Sequence, residues 1–321
     1  MTETIAVLVP FSGEKQEQLR RAAGQAQVLF LPPEKLEEHI ENAGMIVGNP
    51  PPALLARAKR LRLLQLESSG ANLYAAPGVL PKGALLSCAT GSYGPGIAEY
   101  MTAYVLALFL RLPQYWENQK NHRWQDEGAV RSAAGSTALV VGFGDIGSQF
   151  AMRFHALGGR VLGVCRTEKE PPPYAEALYT MEKLDALLPQ ADVVALSLPE
   201  TPQTTGLMDA RRLALMKRGA VLVNVGRGSA VVTDDLCAAL REGRLGGAAL
   251  DVTSPEPLPE DHPLWDMPNC ILTPHISGGH HFEGTVERIF SVCLENVRRF
   301  TRGEPPVNLV DLSTGYRESR S

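Results

Sequence analysis

The sequence predicts an α/β protein built on parallel sheet and divided into two domains. Apolar runs of strand length alternate with helix-length stretches along the whole chain, the pattern of βαβ crossovers. A chain of 321 residues is long for a single core, so two domains are the default. A strand–glycine turn–helix unit begins only at Gly142, leaving a large stretch of chain ahead of it.

The elements follow in order. Residues 5–9 read as an apolar strand, 14–24 as a helix and 27–30 as a second strand, with Pro32-Pro33 and a Glu-rich helix behind it. Residues 44–47 form a strand closed by the turn Gly48-Asn49-Pro50-Pro51-Pro52. Residues 53–60 are helical, 63–66 a strand, Ser68-Ser69-Gly70-Ala71 a loop, and 85–87 a short last strand. After a Gly/Pro-rich segment at 91–96, helical periodicity runs from 97 to 110. Beyond the glycine turn, strands recur at 161–164, 193–198, 220–225, 247–252 and 270–273. A strong helix at 284–299 precedes a polar tail and could lead the chain back to the first domain, placing a cleft between the two.

Bulk properties exclude several function classes. Net charge is −4 (31 basic against 35 acidic residues), which argues against a nucleic-acid partner. The basic run over 57–62 is broken by apolar residues and reads as the wet face of an amphipathic helix. No signal peptide is evident at the N-terminus. The most apolar run, 97–112, contains Glu99 and falls short of the roughly 20 residues a membrane span needs. Five scattered cysteines with no C-x-x-C pair fit reduced thiols in a cytoplasmic enzyme.

Chemistry is concentrated at strand ends. Thr137-Ala-Leu-Val-Val runs into Gly142-Phe143-Gly144-Asp145-Ile146-Gly147 and then a helix. The first glycine permits the tight turn, the second lets backbone approach a phosphate, and the third lets helix pack on strand. The helix N-terminus offers N–H groups and a positive dipole end to a dinucleotide pyrophosphate. The strand at 220–225 ends in Gly226-Arg227-Gly228-Ser229. An arginine there suits a carboxylate through a bidentate fork, or is a solvent-facing loop arginine. The strand at 247–252 carries Asp251 and leads to Glu256 among prolines, where a carboxylate is more often solvated than catalytic. The strand at 270–273 leads to His275 beside Gly278-Gly279, a candidate proton donor in a sheet that binds nicotinamide.

Taken together, these features resemble the D-isomer-specific 2-hydroxyacid dehydrogenases, of the glyoxylate/hydroxypyruvate reductase type. The resemblance spans nearly the whole chain. It lies in VVGFGDIG, in LSLPETPQTTGLM, in MKRGAVLVNVGRGSAVVTDDLCAALREGRLGGAALDV, in PEPLPEDHPLWDMPNCILTPHISGG and in ENVRRFTRGEPPVNLV. It implies two Rossmann-like, doubly wound parallel-sheet domains with an active-site cleft between them. Residues 1–98 with 282–321 would bind substrate, and 99–281 would bind the dinucleotide. It implies that Arg227 binds the substrate carboxylate and carbonyl oxygen, that His275 is the acid/base, and that Glu256 pairs with His275. Ser69 and Gly70 would supply a backbone cradle for the carboxylate. Gly142, Gly144, Asp145, Ile146, Gly147, Pro199, Thr204, Val225, Asp251 and Gly278 would contact the cofactor. Members of the family are usually homodimers.

The physical chemistry of reducing a 2-oxo acid agrees. Hydride must reach the carbonyl carbon while a proton reaches its oxygen, and a carboxylate beside the imidazole favours its charged form. Arg227 would fix the carboxylate and polarise the carbonyl. No metal is suggested: His280-His281 lack an H-E-x-x-H spacing and are expected to begin the return helix, with substrate contact also open.

One departure bears on the cofactor. NAD-preferring enzymes usually place Asp or Glu at the end of the second strand, about 20 residues past the glycines. Here that place holds Cys165, followed by Arg166 and Thr167. Nothing repels a 2′-phosphate, Arg166 could pair with it and Thr167 could add a hydroxyl. NADP(H) is therefore expected over NAD(H), the alternative being a solvent-facing Arg166 and use of NAD. Phosphoglycerate, formate and phosphite dehydrogenases remain as alternative activities, and a dinucleotide-sensing corepressor-like binding protein as an alternative of another class.

Overall fold

The computed structural model describes residues 2–279 and 282–314 and the backbone of 316–317. His280 and His281, expected at the start of the return helix, lie outside the described residues. The chain divides into two compact units, Met1–Tyr93 with His280–Ser321, and Gly94–Gly279.

In the first unit, strands β1 (Thr4–Val7), β2 (Gln27–Phe30), β3 (Met45–Val47), β4 (Leu63–Gln65) and β5 (Leu85–Ser87) form a parallel sheet in the order β2-β1-β3-β4-β5. Its inner strands are buried on both faces; β3 and β4 expose no side chain, as crossovers covering both sides require. Helix α1 (Gly13–Ala23) packs beside the long return helix, α9 (Glu283–Arg302), where Phe11 and Phe290 meet edge to face at 5.2 Å. A four-residue helix, α2 (Asn72–Ala75), follows β4.

The second unit starts with α3 (Gly94–Phe109) and α4 (Leu112–Lys120). Its sheet comprises β6 (Thr137–Val141), β7 (Arg160–Cys165), β8 (Ala177–Thr180), β9 (Val193–Leu196), β10 (Val221–Asn224), β11 (Gly247–Leu250) and β12 (Cys270–Leu272). All are parallel, in the order β12-β11-β10-β9-β6-β7-β8. Helices α5 (Asp145–Ala156), α6 (Leu184–Leu187), α7 (Ala210–Leu215) and α8 (Thr233–Arg241) make the connections. The strand order reverses between β6 and β9, so the ligand crevice of such a sheet lies beyond their carboxyl ends. Central strand β6 is wholly buried, and a side chain such as Leu139 or Val194 contributes about 1.5–3 kcal/mol by its burial.

The structure differs from the expectations in places. The Glu-rich stretch and the segment after the triple proline form only six-residue 3₁₀ turns, Pro33–Glu38 and Pro52–Arg57, each led in by prolines and too short to nucleate an α-helix. Helix α3 starts at Gly94 rather than at 97, because Pro95 is tolerated in a first turn and the Asp145 carboxylate accepts a hydrogen bond from the Gly94 N–H at 3.1 Å. The expected polar tail contains β13 (Val310–Asp311), antiparallel to β14 (Tyr316–Arg317), and Val310 is buried. Cys88, Cys165, Cys237, Cys270 and Cys293 are all free thiols. No helix among the described residues is long and apolar enough to cross a membrane.

Candidate active site

The glycine turn sits at the carboxyl end of β6. Gly142 has φ +99°, and a Cβ there would stand 2.8 Å from the Ser197 carbonyl oxygen at the end of β9. A Cβ on Gly147 would stand 2.1 Å from the Gly142 oxygen, so any side chain would drive α5 off the strand. Around Gly144 the corresponding space is empty, and the residue is exposed. The turn is thus tight on two sides and open on the third, where backbone and the leading N–H groups of α5 can meet a phosphate. The Asp145 carboxylate turns to Gly94 N–H, while Ile146 is half-buried in the first turn of α5.

Beyond the glycine turn, β7 ends at Cys165, which is buried with its Sγ 3.0 Å from the Thr167 carbonyl oxygen. Burial pushes the Cys165 thiol up against the opposing charge of Lys169, so a neutral thiol occupies the place where an acid would sit. Arg166 and Thr167 are exposed immediately beyond it. Between β9 and α7, the Thr204 hydroxyl donates to the Pro199 carbonyl at 2.7 Å and accepts from the Thr201 N–H at 2.9 Å. Its polar atoms shape the loop. Val225 is buried and donates its N–H to Leu196.

Arg227 follows β10. Asn224, fully buried at the end of the strand, accepts from the Gly226 N–H at 3.1 Å and donates to the Arg227 carbonyl at 2.9 Å. This Asx turn, unsuspected in the sequence, fixes the backbone that carries the arginine. A side chain at Gly228 would collide with the Thr253 backbone at 1.8 Å, which keeps the turn close to the end of β11. The guanidinium is half-buried and spends one N–H on the Gly226 carbonyl at 2.7 Å. Its remaining N–H groups have no partner among the described residues and suit an anion.

Asp251 ends β11 and is 2 % exposed. Its carboxylate accepts from Thr273 Oγ1 at 2.6 Å, from the N–H groups of Ile276 and Ser277 at 3.0 and 3.1 Å, and from the Ser277 hydroxyl. Tyr104 Oη on α3 lies 2.7 Å from Thr273 Oγ1. Burial pushes the Tyr104 hydroxyl up, so it remains a protonated partner. These bonds hold the 273–277 turn around His275, whose φ of +52° is uncommon for a residue with a side chain. His275 donates its backbone N–H to the Asp251 carbonyl at 2.8 Å. Its Nδ1 lies 2.6 Å from Glu256 Oε1, both side chains being about half exposed (47 % and 41 %). Nε2 has no hydrogen-bond partner among the described residues, so the imidazole is oriented by one nitrogen and available at the other. Gly278 comes next, beside buried Ser277.

Ser69 and Gly70 belong to the first unit, in the loop after β4. Several backbone groups of that loop are tied. Leu66 N–H reaches the Ser87 carbonyl at 2.8 Å, and the Ser68 carbonyl accepts from Ala89 at 2.9 Å. The Glu67 N–H reaches Asn49 Oδ1 at 3.2 Å, and the Glu67 carbonyl accepts from Tyr93 Oη at 2.6 Å. Burial and then the Glu67 charge push the Tyr93 hydroxyl up, keeping it a donor. The Gly70 carbonyl takes the Ser68 hydroxyl at 2.9 Å. The N–H groups of Ser69 and Gly70 donate to nothing among the described residues, which suits an anion cradle.

Comparison with known proteins follows the same lines. A family model described as D-isomer specific 2-hydroxyacid dehydrogenase, NAD binding domain, matches residues 102–277. A glyoxylate/hydroxypyruvate reductase A of Escherichia fergusonii is 31 % identical over 303 residues, covering 93 % of this chain and 94 % of its own length. An NADPH-dependent glyoxylate/hydroxypyruvate reductase of Sinorhizobium meliloti, solved with NADP and sulfate, superposes with a TM-score of 0.84 at 28 % identity, covering 98 % of this chain and 100 % of that one. A D-isomer specific 2-hydroxyacid dehydrogenase of Xanthobacter autotrophicus, solved with NADPH and MES, gives a TM-score of 0.83 at 29 % identity over 98 % of this chain and 100 % of that one.

Proposed function

Because the chain belongs to the D-isomer specific 2-hydroxyacid dehydrogenases, oxidoreductases that use a nicotinamide dinucleotide, we propose that it reduces a small 2-oxo acid of the glyoxylate or hydroxypyruvate type to the D-2-hydroxy acid, with NADPH preferred. The observation that carries the chemistry is His275, oriented through Nδ1 by Glu256 and available at Nε2, on the turn that follows β12, two strands along the same sheet from β10, which leads to Arg227.

When bound, the dinucleotide supplies the hydride, and Gly142, Gly144 and Gly147 with the first turn of α5 would hold its phosphates. Arg227 binds the substrate carboxylate and polarises the carbonyl as negative charge develops on its oxygen. Nε2 of His275 delivers the proton to that oxygen, and Glu256 holds the ring through Nδ1. Ser69 and Gly70 N–H groups receive the carboxylate. Asp251 keeps the His275 turn in place, and Pro199, Thr204, Val225 and Gly278 line the dinucleotide side. The neutral Cys165 with Arg166 and Thr167 supports NADPH, as do the relatives solved with NADPH or NADP. The reading includes a homodimer in the cytoplasm: Trp116 and Trp124 lie exposed close together in sequence, and a second copy would cover them.

A panel of 2-oxo acids assayed with NADPH and NADH tests this. Turnover of glyoxylate or hydroxypyruvate is expected, with D-glycerate from the latter. His275→Gln should lower kcat by about 10²–10⁴-fold while leaving NADPH binding intact. Tight cofactor binding without turnover of any 2-oxo acid would favour a dinucleotide sensor instead.

A further inference from the structure

We propose that Asn296, on the return helix α9, positions the substrate loop through a buried amide pair with Gln65. This rests on the reading of Ser69–Gly70 as the carboxylate cradle. Gln65 is the last residue of β4, Ser87 the last of β5, and Asn296 faces both from α9; all three are wholly buried. The Asn296 amide nitrogen donates to Gln65 Oε1, and it also lies 3.0 Å from Ser87 Oγ and 3.1 Å from the Val307 carbonyl. Its oxygen accepts from the Val307 N–H at 2.7 Å. The Ser87 hydroxyl donates to the Val307 carbonyl at 2.7 Å.

The consequence lies in the direction of the Gln65 amide. Asn296 can approach with its NH₂ only if Gln65 presents its oxygen, because its own oxygen is already held by Val307. That leaves the Gln65 NH₂ facing the other way, where it donates to the Leu66 carbonyl at 2.7 Å. Leu66 is the first residue of the loop, three positions before Ser69. The orientation of one amide on α9 therefore sets a tether at the root of the loop that carries Ser69 and Gly70. No charged group takes part in these bonds. An uncharged amide chain with every polar atom satisfied is also a rigid one. Asn296 touches no substrate; it acts through Gln65 and Leu66.

Two variants of the full-length protein test the assignment. Gln65→Met keeps the volume and removes both amide bonds, while Asn296 retains Ser87 and Val307. Asn296→Ala removes the bonds to Gln65, Ser87 and Val307 and leaves Gln65–Leu66 and Ser87–Val307 in place. Both should raise KM for the 2-oxo acid about ten-fold or more, because small misplacements of binding groups are costly. The dissociation constant for NADPH should stay within about two-fold and kcat within about three-fold of the parent, the pattern of lost substrate binding. Asn296→Ser, which can still donate, should restore part of the KM loss. Hydrogen exchange at the Leu66 and Glu67 N–H groups should quicken in Gln65→Met. Unchanged exchange there overturns the proposal, as does an unchanged KM or an equal loss of NADPH affinity. If Asn296→Ala does not fold, Gln65→Met decides the question. If the parent protein turns over no 2-oxo acid, the functional reading fails, and the exchange measurement still judges the tether.

Discussion

At position 165 a thiol stands where an acid would hold the ribose hydroxyls. Its neutral state follows from burial, and its neighbours Arg166 and Thr167 are exposed at the carboxyl end of β7. Arg166→Ala should therefore raise KM for NADPH far more than KM for NADH, by about ten-fold or more if a charge-assisted bond to phosphate is lost. Equal effects on both cofactors in steady-state assays would refute the phosphate pairing. At this scale the sequence was readable for the position of residues that follow a strand. Arg227, Glu256 and His275 each follow a strand, and each strand is where the apolar pattern put it. The supporting groups were not readable. Asn224, Thr273, Ser277 and Tyr104 act through partners far apart in the chain, such as Tyr104 and Thr273, 169 positions apart. No spacing rule connects such residues before the fold brings them together.

Elements were legible in proportion to their apolar content and length. Strand β6 and the glycine turn could be placed directly, whereas β8 escaped notice because its four residues are only half-buried at the sheet edge. Prolines hid the difference between α-helix and 3₁₀ turn at Pro33–Glu38 and Pro52–Arg57. An ion cluster at the amino end of the second sheet, opposite the site, has a testable energetic role. Asp192, 7 % exposed, accepts from Arg131 at 2.6 Å, Lys217 at 2.7 Å and the Thr137 N–H at 3.0 Å, joining the starts of β6, β9 and β10. Burial alone would push the Asp192 carboxyl up; the Lys217 and Thr137 hydrogen bonds and the Arg131 and Lys217 charges outweigh it and hold it below the usual carboxylate range. A carboxyl lowered by folding stabilises the protein above its unfolded pKa of about 4, and that contribution fades as pH falls through the lower folded value. Asp192→Asn should cost about 2–3 kcal/mol at pH 7, with the gap in urea-unfolding midpoints narrowing below about pH 4. A gap independent of pH would show that the charge is not responsible.

For the molecule as a whole, length and alternation predicted two α/β units, and two parallel sheets are present. The return of the chain to its first unit was signalled by one strong helix, α9; the closing strand β13 was not, because two residues carry no periodicity. Assembly is the least legible property, since a tryptophan's exposure is decided only by folding. Trp124 is fully exposed on the irregular segment after α4, and Trp116 is about half exposed on that helix. Light scattering on the eluting protein should give twice the 34.7 kDa chain mass. Trp124→Ser should weaken association by about ten-fold or more, as expected for a buried aromatic anchor. A monomer at micromolar concentration would refute the dimer.

The discontinuous first unit also orders events during synthesis. Its sheet is complete once Ser87 has emerged, yet the groups that cover β4 and β5 from the far end of the sequence, Asn296, Val307 and Val310, do not yet exist. The 94–279 unit is contiguous and can close on the ribosome while the first sheet waits. At about 5–20 residues per second, that wait lasts roughly ten seconds or more. For that interval the nascent chain carries the buried polar ends Gln65 and Ser87 without their partner, and any holding factor must shield this sheet rather than the dinucleotide domain.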